Sequence, residues 1–257
     1  MRGVRPSARR VAAVLARVEG RELAASPWFV IGIGFCTFMV FGFGLAEGTT
    51  QWRDVVEKLS FLAHPLVGVM VVASHRAATR ARRDGAADLF EACPTAPVTR
   101  TIGGLGAAWV PAVALAAFFA AYLSAVYLSA VVADTGTRAS LESAQVANVL
   151  AGLVLGVGGV ALGIALGRCV RFAAAPVVAV VLIGFISINL AAGDPGRFRW
   201  PLVLSTMPPL GDEPVDLTAG QAWLHLGWLA TLVTVTALVA MAGTRLDSPE
   251  AADADRC

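Results

Sequence analysis

The chain has 257 residues, of which 57% are hydrophobic and only 15% are charged, and its mean hydropathy is +0.71. A composition this apolar excludes an ordinary soluble domain and places the chain among membrane proteins. The net charge of +2 is small, so it predicts no nucleic-acid partner. The four cysteines include no Cys-x-x-Cys pair, which argues against a disulfide framework or a zinc site.

Residues 7–25 have the pattern of an amphipathic helix. Apolar side chains recur at every third or fourth position from Val11 to Val18, and arginines share one flank. A basic and apolar helix of this kind suits the interface between membrane and water. Ser26 and Pro27 then supply an N-cap and a first-turn proline for the next helix.

Six uncharged runs are long enough, or nearly so, to cross a membrane as helices. They are predicted at residues 28–46, 59–74, 105–132, 146–166, 173–192 and 223–242. We expect a kink near Pro111 in the third run, an interfacial segment at 193–221 and a polar tail at 245–257. The predicted fold class is therefore all-α, a polytopic membrane protein with six transmembrane helices in one domain.

The arginines predict the orientation of the chain. If the N-terminus is cytosolic, fifteen of the 20 Lys and Arg residues lie on the cytosolic side. This asymmetry predicts a multi-pass protein with both termini in the cytosol. Lys58 is the only lysine, and a composition rich in Arg and Ala indicates a bacterial source. The predicted location is the bacterial inner (cytoplasmic) membrane.

The polar connection between the second and third runs has an internal pattern. It begins with a cluster of arginines, after which Asp84 and Gly85 are expected to open a short helix. Asp88 and Glu91 have the spacing of a capping box. Pro94 is expected to end the helix, because proline lacks an N–H group and disfavours helical geometry in the preceding residue.

This short helix, predicted at residues 84–92, carries two apolar side chains in otherwise polar surroundings. Leu89 and Phe90 indicate a partner that buries them, on the cytosolic side. A solvated loop without a partner is the alternative interpretation.

The predicted spans have no charged residue in their interiors, which argues against an ion-coupled carrier. The chain also lacks the Gly-x-x-x-x-Gly-Lys-Ser/Thr phosphate loop, so any ATP would be bound by another chain. No pattern of a membrane-embedded enzyme is complete. The histidines at 64 and 225 fit packed or interfacial positions more simply than a proton relay.

Two further sets of residues stand out within the runs. A glycine stripe, at spacings of three and four, allows another helix to approach closely, either within the chain or across a dimer. Aromatic and polar positions could line an apolar substrate path, although lipid-facing or core packing is the simpler explanation. The glycine stripe consists of Gly152, Gly156, Gly159, Gly163 and Gly167, and the possible substrate path of Phe38, Phe41, His64 and Asn189.

The order of these elements resembles the permease subunits of type-2 ATP-binding cassette exporters. The similar segments are Arg21–Phe29, Arg83–Phe90 and Pro97–Arg100, together with a cytosolic loop after the second of six spans. The chain departs from the family pattern at Asp84, where a Glu-Arg-Glu sequence is usual before the glycine. By this resemblance, residues 84–92 form the coupling helix and 7–25 the connecting helix.

The resemblance implies a function and partners. The chain would move an apolar or amphiphilic substrate outward, paired with a second permease copy or homologue and surrounded by membrane lipid. A cytosolic ATPase subunit would bind ATP and magnesium, so this chain would be no enzyme and bind no cofactor or metal itself. The implied ATPase contacts are Asp84, Gly85, Asp88, Leu89, Phe90, Glu91, Pro94, Pro97 and Arg100. The alternatives are a regulatory or assembly subunit without transport, or an intramembrane enzyme.

Overall fold

A computed structural model describes residues 7–39, 64–85, 95–132, 142–170, 172–191 and 218–246. Every regular element within these ranges is an α-helix, as the composition predicts. The helices in chain order are α1 (Ala8–Ala24), α2 (Pro27–Met39), α3 (His64–Arg83), α4 (Pro97–Gly106), α5 (Trp109–Val132), α6 (Ser143–Cys169), α7 (Ala175–Ala191) and α8 (Ala219–Leu246).

Three segments of the described chain are long and apolar enough to cross a membrane. They are Pro97–Leu128, Ser143–Cys169 and Ala219–Thr244, and two shorter apolar helices cover Pro27–Phe38 and Ala175–Ile186. Large apolar side chains remain exposed along α2, α7 and α8, as a lipid-facing surface requires. The protein is thus a helical chain suited to a membrane, but the number of six spans is not confirmed.

Helix α6 is the centre of the bundle. It packs most extensively against α8 and α3, and also contacts α5, α4 and α7. The buried core beside it is built from aliphatic and aromatic side chains of α3 and α5, such as Leu66, Met70, Leu115 and Phe119. This central position follows from the many glycines of α6, which let neighbouring helices come close.

Helix α3 is longer than the second apolar run predicts. It continues through Arg80 to Arg83, which are expected in a loop from the sequence. The turn that follows contains Gly85, whose φ of 67° suits glycine. Arginine is a good helix former, and its charge is favourable near a helix C-terminus. The arginine cluster therefore forms the last two turns of α3, and Asp84 with Gly85 closes this helix instead of opening the next one.

The third predicted run, 105–132, is divided into two helices. Helix α4 begins at Pro97, and a turn at Ala107 and Ala108 separates it from α5. Pro111 accounts for the turn, because it has no N–H group to donate to the carbonyl of Ala107, which accepts from Val110 instead at 3.0 Å. The kink expected near Pro111 is confirmed as this break.

Helices α6 and α8 begin at the same end of the bundle. The capping box of Glu142 and Gln145 starts α6 three residues before the predicted run. Trp223 of α8 donates a hydrogen bond from Nε1 to the Ser143 hydroxyl of α6, at 2.8 Å. Most of the predicted connection 193–221 and nearly all of the predicted tail lie outside the described residues.

Candidate functional site

Charged residues from four helices meet at one end of the bundle, which we call the arginine-rich end. It comprises the C-terminal ends of α1, α3 and α6 and the N-terminal end of α4. Its principal side chains are Glu19, Glu22, Arg80, Arg100 and Arg168. Two of the three membrane-length segments carry an arginine at this end. Arg100 lies in the first turn of α4, and Arg168 lies in the last turn of α6.

An ion pair joins α1 to the end of α3. Arg80 donates a hydrogen bond to the Glu22 carboxylate, and this bond is the main reason why the pKa of Arg80 is raised. Both side chains are a little under half exposed, so the pair contributes no more than about 1 kcal/mol. Its importance is positional, since it fixes α1 beside the last turn of α3.

A second contact joins the end of α3 to α6. Arg82 donates a hydrogen bond to the backbone carbonyl of Gly167, in the last turn of α6. The carbonyl groups of a helix C-terminus have no partner within their own helix, so this arginine supplies one. The end of α3 is thus attached to α1 on one side and to α6 on the other.

Helix α1 also packs tightly on α4. A methyl group added at Gly103 would lie 2.6 Å from Cβ of Leu15, and one added at Gly106 would lie 2.7 Å from Cβ of Ala16. Such distances leave no room for a side chain, so the two helices are in direct contact. The predicted amphipathic helix therefore packs on the bundle through Leu15 and Ala16, whereas Val14 and Val18 of its apolar face remain exposed.

A cavity of about 170 Å³ lies between α1, α3, α4 and α6. We call it the α1 cavity. Most of its wall is apolar, and its charged lining residues are Glu19, Arg80, Arg100 and Arg168. Burial raises the pKa of the Glu19 carboxyl, an effect that the positive charges of Arg80 and Arg168 oppose and the negative charge of Glu22 reinforces.

The predicted ATPase contacts are only partly described. Asp84 and Gly85 form the turn after α3, and Pro97 is the first residue of α4. Arg100, in the first turn of α4, lines the α1 cavity. Asp88, Leu89, Phe90, Glu91 and Pro94 lie outside the described residues. A short helix between α3 and α4 stays a prediction, and it can begin only after Gly85.

The glycine stripe packs within the chain. Added methyl groups at Gly152 and Gly156 would collide with Phe119 and Leu115 of α5. Those at Gly159, Gly163 and Gly167 would collide with α3, in part with its backbone. Of the two interpretations that the sequence leaves open, close approach within the chain is the one that the structure shows for these glycines.

The predicted substrate path is spread over several elements. Phe38 is 62% exposed near the end of α2, His64 begins α3, and Asn189 belongs to α7. Phe41 lies outside the described residues. The path stays a prediction.

In the described ranges, no group of three or more His, Cys, Asp or Glu residues is placed to hold a metal ion.

The sequence interpretation missed the two glutamates of α1. Glu19 and Glu22 are the acidic residues of a helix whose other charges are arginines. Their spacing of three places them on one side of the helix, and this was the available signal for a contact with a basic element.

No protein-family model matches the chain, and a comparison with curated proteins finds no match.

Proposed function

We propose that the chain is the membrane-embedded permease subunit of an ATP-binding cassette exporter. The observation that carries this proposal is the position of α1. It packs on α4 through Gly103 and Gly106 and is joined to the end of α3 by the pair of Glu22 with Arg80. Helices α3 and α4 flank the predicted coupling segment, so α1 contacts both of the helices to which this segment is attached.

This arrangement supports a mechanical role for the arginine-rich end. A displacement of residues 86–94 by an ATPase would act on α3 and α4 at once. Arg82 would pass the displacement from α3 to α6, through its bond to the carbonyl of Gly167. Because α6 is the centre of the bundle, the remaining helices would rearrange around it and open a path for an apolar or amphiphilic substrate.

The energy would come from another chain. We propose that a cytosolic ATPase subunit binds ATP with magnesium, and that a second copy or homologue of this chain completes the path. When the full chain is purified from its native membrane in mild detergent, we expect an ATPase with a phosphate-loop motif to accompany it. After removal of that subunit, the chain should hydrolyse no ATP.

Two results would contradict this proposal. Vanadate-sensitive hydrolysis by a preparation shown to be free of partner subunits would place the ATPase in this chain. Repeated recovery of an intact complex without an ATPase would favour a regulatory or assembly subunit.

The proposed location is the bacterial cytoplasmic membrane, with both termini and the arginine-rich end in the cytosol. In a variant that retains no natural cysteine, we expect a cysteine introduced at Asp212 to react with an impermeant thiol reagent in intact cells. A matched variant that keeps only Cys93 should react only after the cells are opened. The reverse pattern of labelling would overturn the orientation.

A further inference from the structure

Helices α1 and α4 form a closely packed pair. The line of close contact that begins at Gly103 and Gly106 of α4 continues to Trp109, the first residue of α5. A methyl group added at Gly20 of α1 would lie 2.6 Å from Nε1 of Trp109. Because these approaches leave no room for a side chain, α1 and α4 can separate only by losing the whole line of contact.

Each helix of this pair continues into the next helix through a turn of two small residues. The turn is Ala25 and Ser26 between α1 and α2, and Ala107 and Ala108 between α4 and α5. At both turns an amide donates to the carbonyl three residues before it, at 3.1 Å from Ser26 and 3.0 Å from Ala107. Such interruptions of the regular helical bonding are typical of hinges. The two turns lie at the C-terminal ends of α1 and α4, so the pair could rotate about both of them together.

The remaining helices are held more tightly to α6 than α4 is. Methyl groups added at the glycine stripe would collide with α3 and α5, whereas one added at Gly104 of α4 would lie at an ordinary 3.4 Å from Ile164 of α6. Helix α1 is joined to α3 by the partly exposed pair of Glu22 with Arg80, which contributes no more than about 1 kcal/mol. Among the described helices, the pair of α1 with α4 is therefore the one attached to the bundle by the weaker contacts.

The α1 cavity lies between this pair and the rest of the bundle. One side of the cavity belongs to α1 and α4, and the other to α3 and α6. Packed protein interiors contain few voids larger than a water molecule. A cavity of about 170 Å³ along this boundary allows the pair to move toward α3 and α6 without displacing the side chains of the core.

We propose that α1 and α4 form a lever that rotates as one body about the two short turns, and that the pair of Glu22 with Arg80 restrains it. Rotation toward α3 and α6 would narrow the α1 cavity. The end of the lever far from the hinge carries Pro97, which follows the predicted coupling segment. This inference rests on the contacts between the described helices and not on the transport assignment.

The test measures distances between two spin labels in the full chain in lipid nanodiscs, by double electron–electron resonance. In a variant without natural cysteines, labels are attached to cysteines introduced at the exposed positions Val14, Val98, Val113 and Val146. The pair 98 and 113 spans the hinge at Ala107, which lies nine residues, or about 14 Å, from Val98. A rotation of about 20° would therefore move this label by about 5 Å.

Two other label pairs serve as controls. The pair 14 and 98 lies within the lever, and the pair 113 and 146 joins α5 to α6. We expect two distances for the pair that spans the hinge and a single distance for each control pair. Equal broadening of all three pairs would mean a loose bundle and would overturn the lever.

The restraint is tested with Glu22→Gln, which removes the charge that holds Arg80. The ratio of the two distances across the hinge should change by up to about fivefold. Arg17→Gln is the matched control, because it removes an exposed charge of α1 that lines neither cavity, and it should change nothing. A single unchanged distance across the hinge in the wild type and in Glu22→Gln would overturn the proposal, and equal effects of the two variants would contradict the restraint.

The hinge itself is tested with Pro111→Ala. Alanine restores an N–H group that can donate to the carbonyl of Ala107, so the break between α4 and α5 should stiffen. We expect the two distances across the hinge to merge into one, while the control pairs stay as they are. Two distances that persist in Pro111→Ala would contradict a hinge at Ala107 and Ala108.

Discussion

Replacing Leu89 and Phe90 together with alanine is expected to release the ATPase from the membrane chain. In the proposed assembly they are the apolar anchors of a short cytosolic helix that lies in a groove of the ATPase. Truncating anchors of this kind costs about 2 kcal/mol or more, which is about thirtyfold in affinity. The measurement is ATPase recovery with the tagged chain, together with transport, at equal membrane expression.

A matched pair of charged residues in the same segment serves as the control. Asp88→Ala with Glu91→Ala should weaken ATPase recovery far less, because exposed charge pairs contribute only about 0–1 kcal/mol. Insertion of the chain into the membrane should be unchanged in both variants, since all four residues lie outside the predicted spans. Normal recovery and transport with the Leu89 and Phe90 pair would contradict the proposed contact between this segment and an ATPase.

The largest effect on stability is expected from Gly163→Leu in the centre of α6. A side chain at this position would collide with the hydroxyl of Ser74 and the backbone carbonyl of Val71, and would lie 3.0 Å from the amide nitrogen of His75. Backbone atoms cannot move aside as a flexible side chain can, so α3 would have to separate from α6. We expect a loss of at least about 3 kcal/mol.

The control for this variant is Gly227→Leu in α8. Among the described residues, and apart from the adjacent residues and backbone of α8 itself, no atom lies within 4 Å of a methyl group added at Gly227, which is exposed. Thermal unfolding in detergent, followed by tryptophan fluorescence, should show a much lower Tm for Gly163→Leu and little change for Gly227→Leu. Equal Tm values for the two variants would contradict the close contact between α3 and α6.

The long apolar helices could be predicted from the sequence because their signal is local. An uncharged run of about twenty residues has few alternatives to a membrane helix, and the fourth and sixth runs correspond to α6 and α8. The end of α3 was predicted too early, since a change to charged residues was interpreted as the end of a helix. Arginine does not stop a helix, and the stop is Gly85.

The contacts of the candidate site could not be predicted in the same way. Arg80 and Glu22 are 58 residues apart in the chain, and Arg82 and Gly167 are 85 residues apart. Helical periodicity shows which residues share a face of one helix, but not which face of another helix lies opposite. The α1 cavity depends on four helices at once, so only the three-dimensional packing brings its arginines together.

The position of α1 also determines the order in which the bundle can assemble during synthesis. Helix α1 leaves the ribosome before the other described helices, whereas the part of α4 on which it packs, around Gly103 and Gly106, is made after α2 and α3. Until then the side of α1 that carries Leu15 and Ala16 has no protein surface to cover it. An amphipathic helix is stable at the surface of a bilayer. Helix α1 can therefore remain bound there while the later helices insert. Helix α1 can therefore dock on the bundle only after α3 and α4 have inserted.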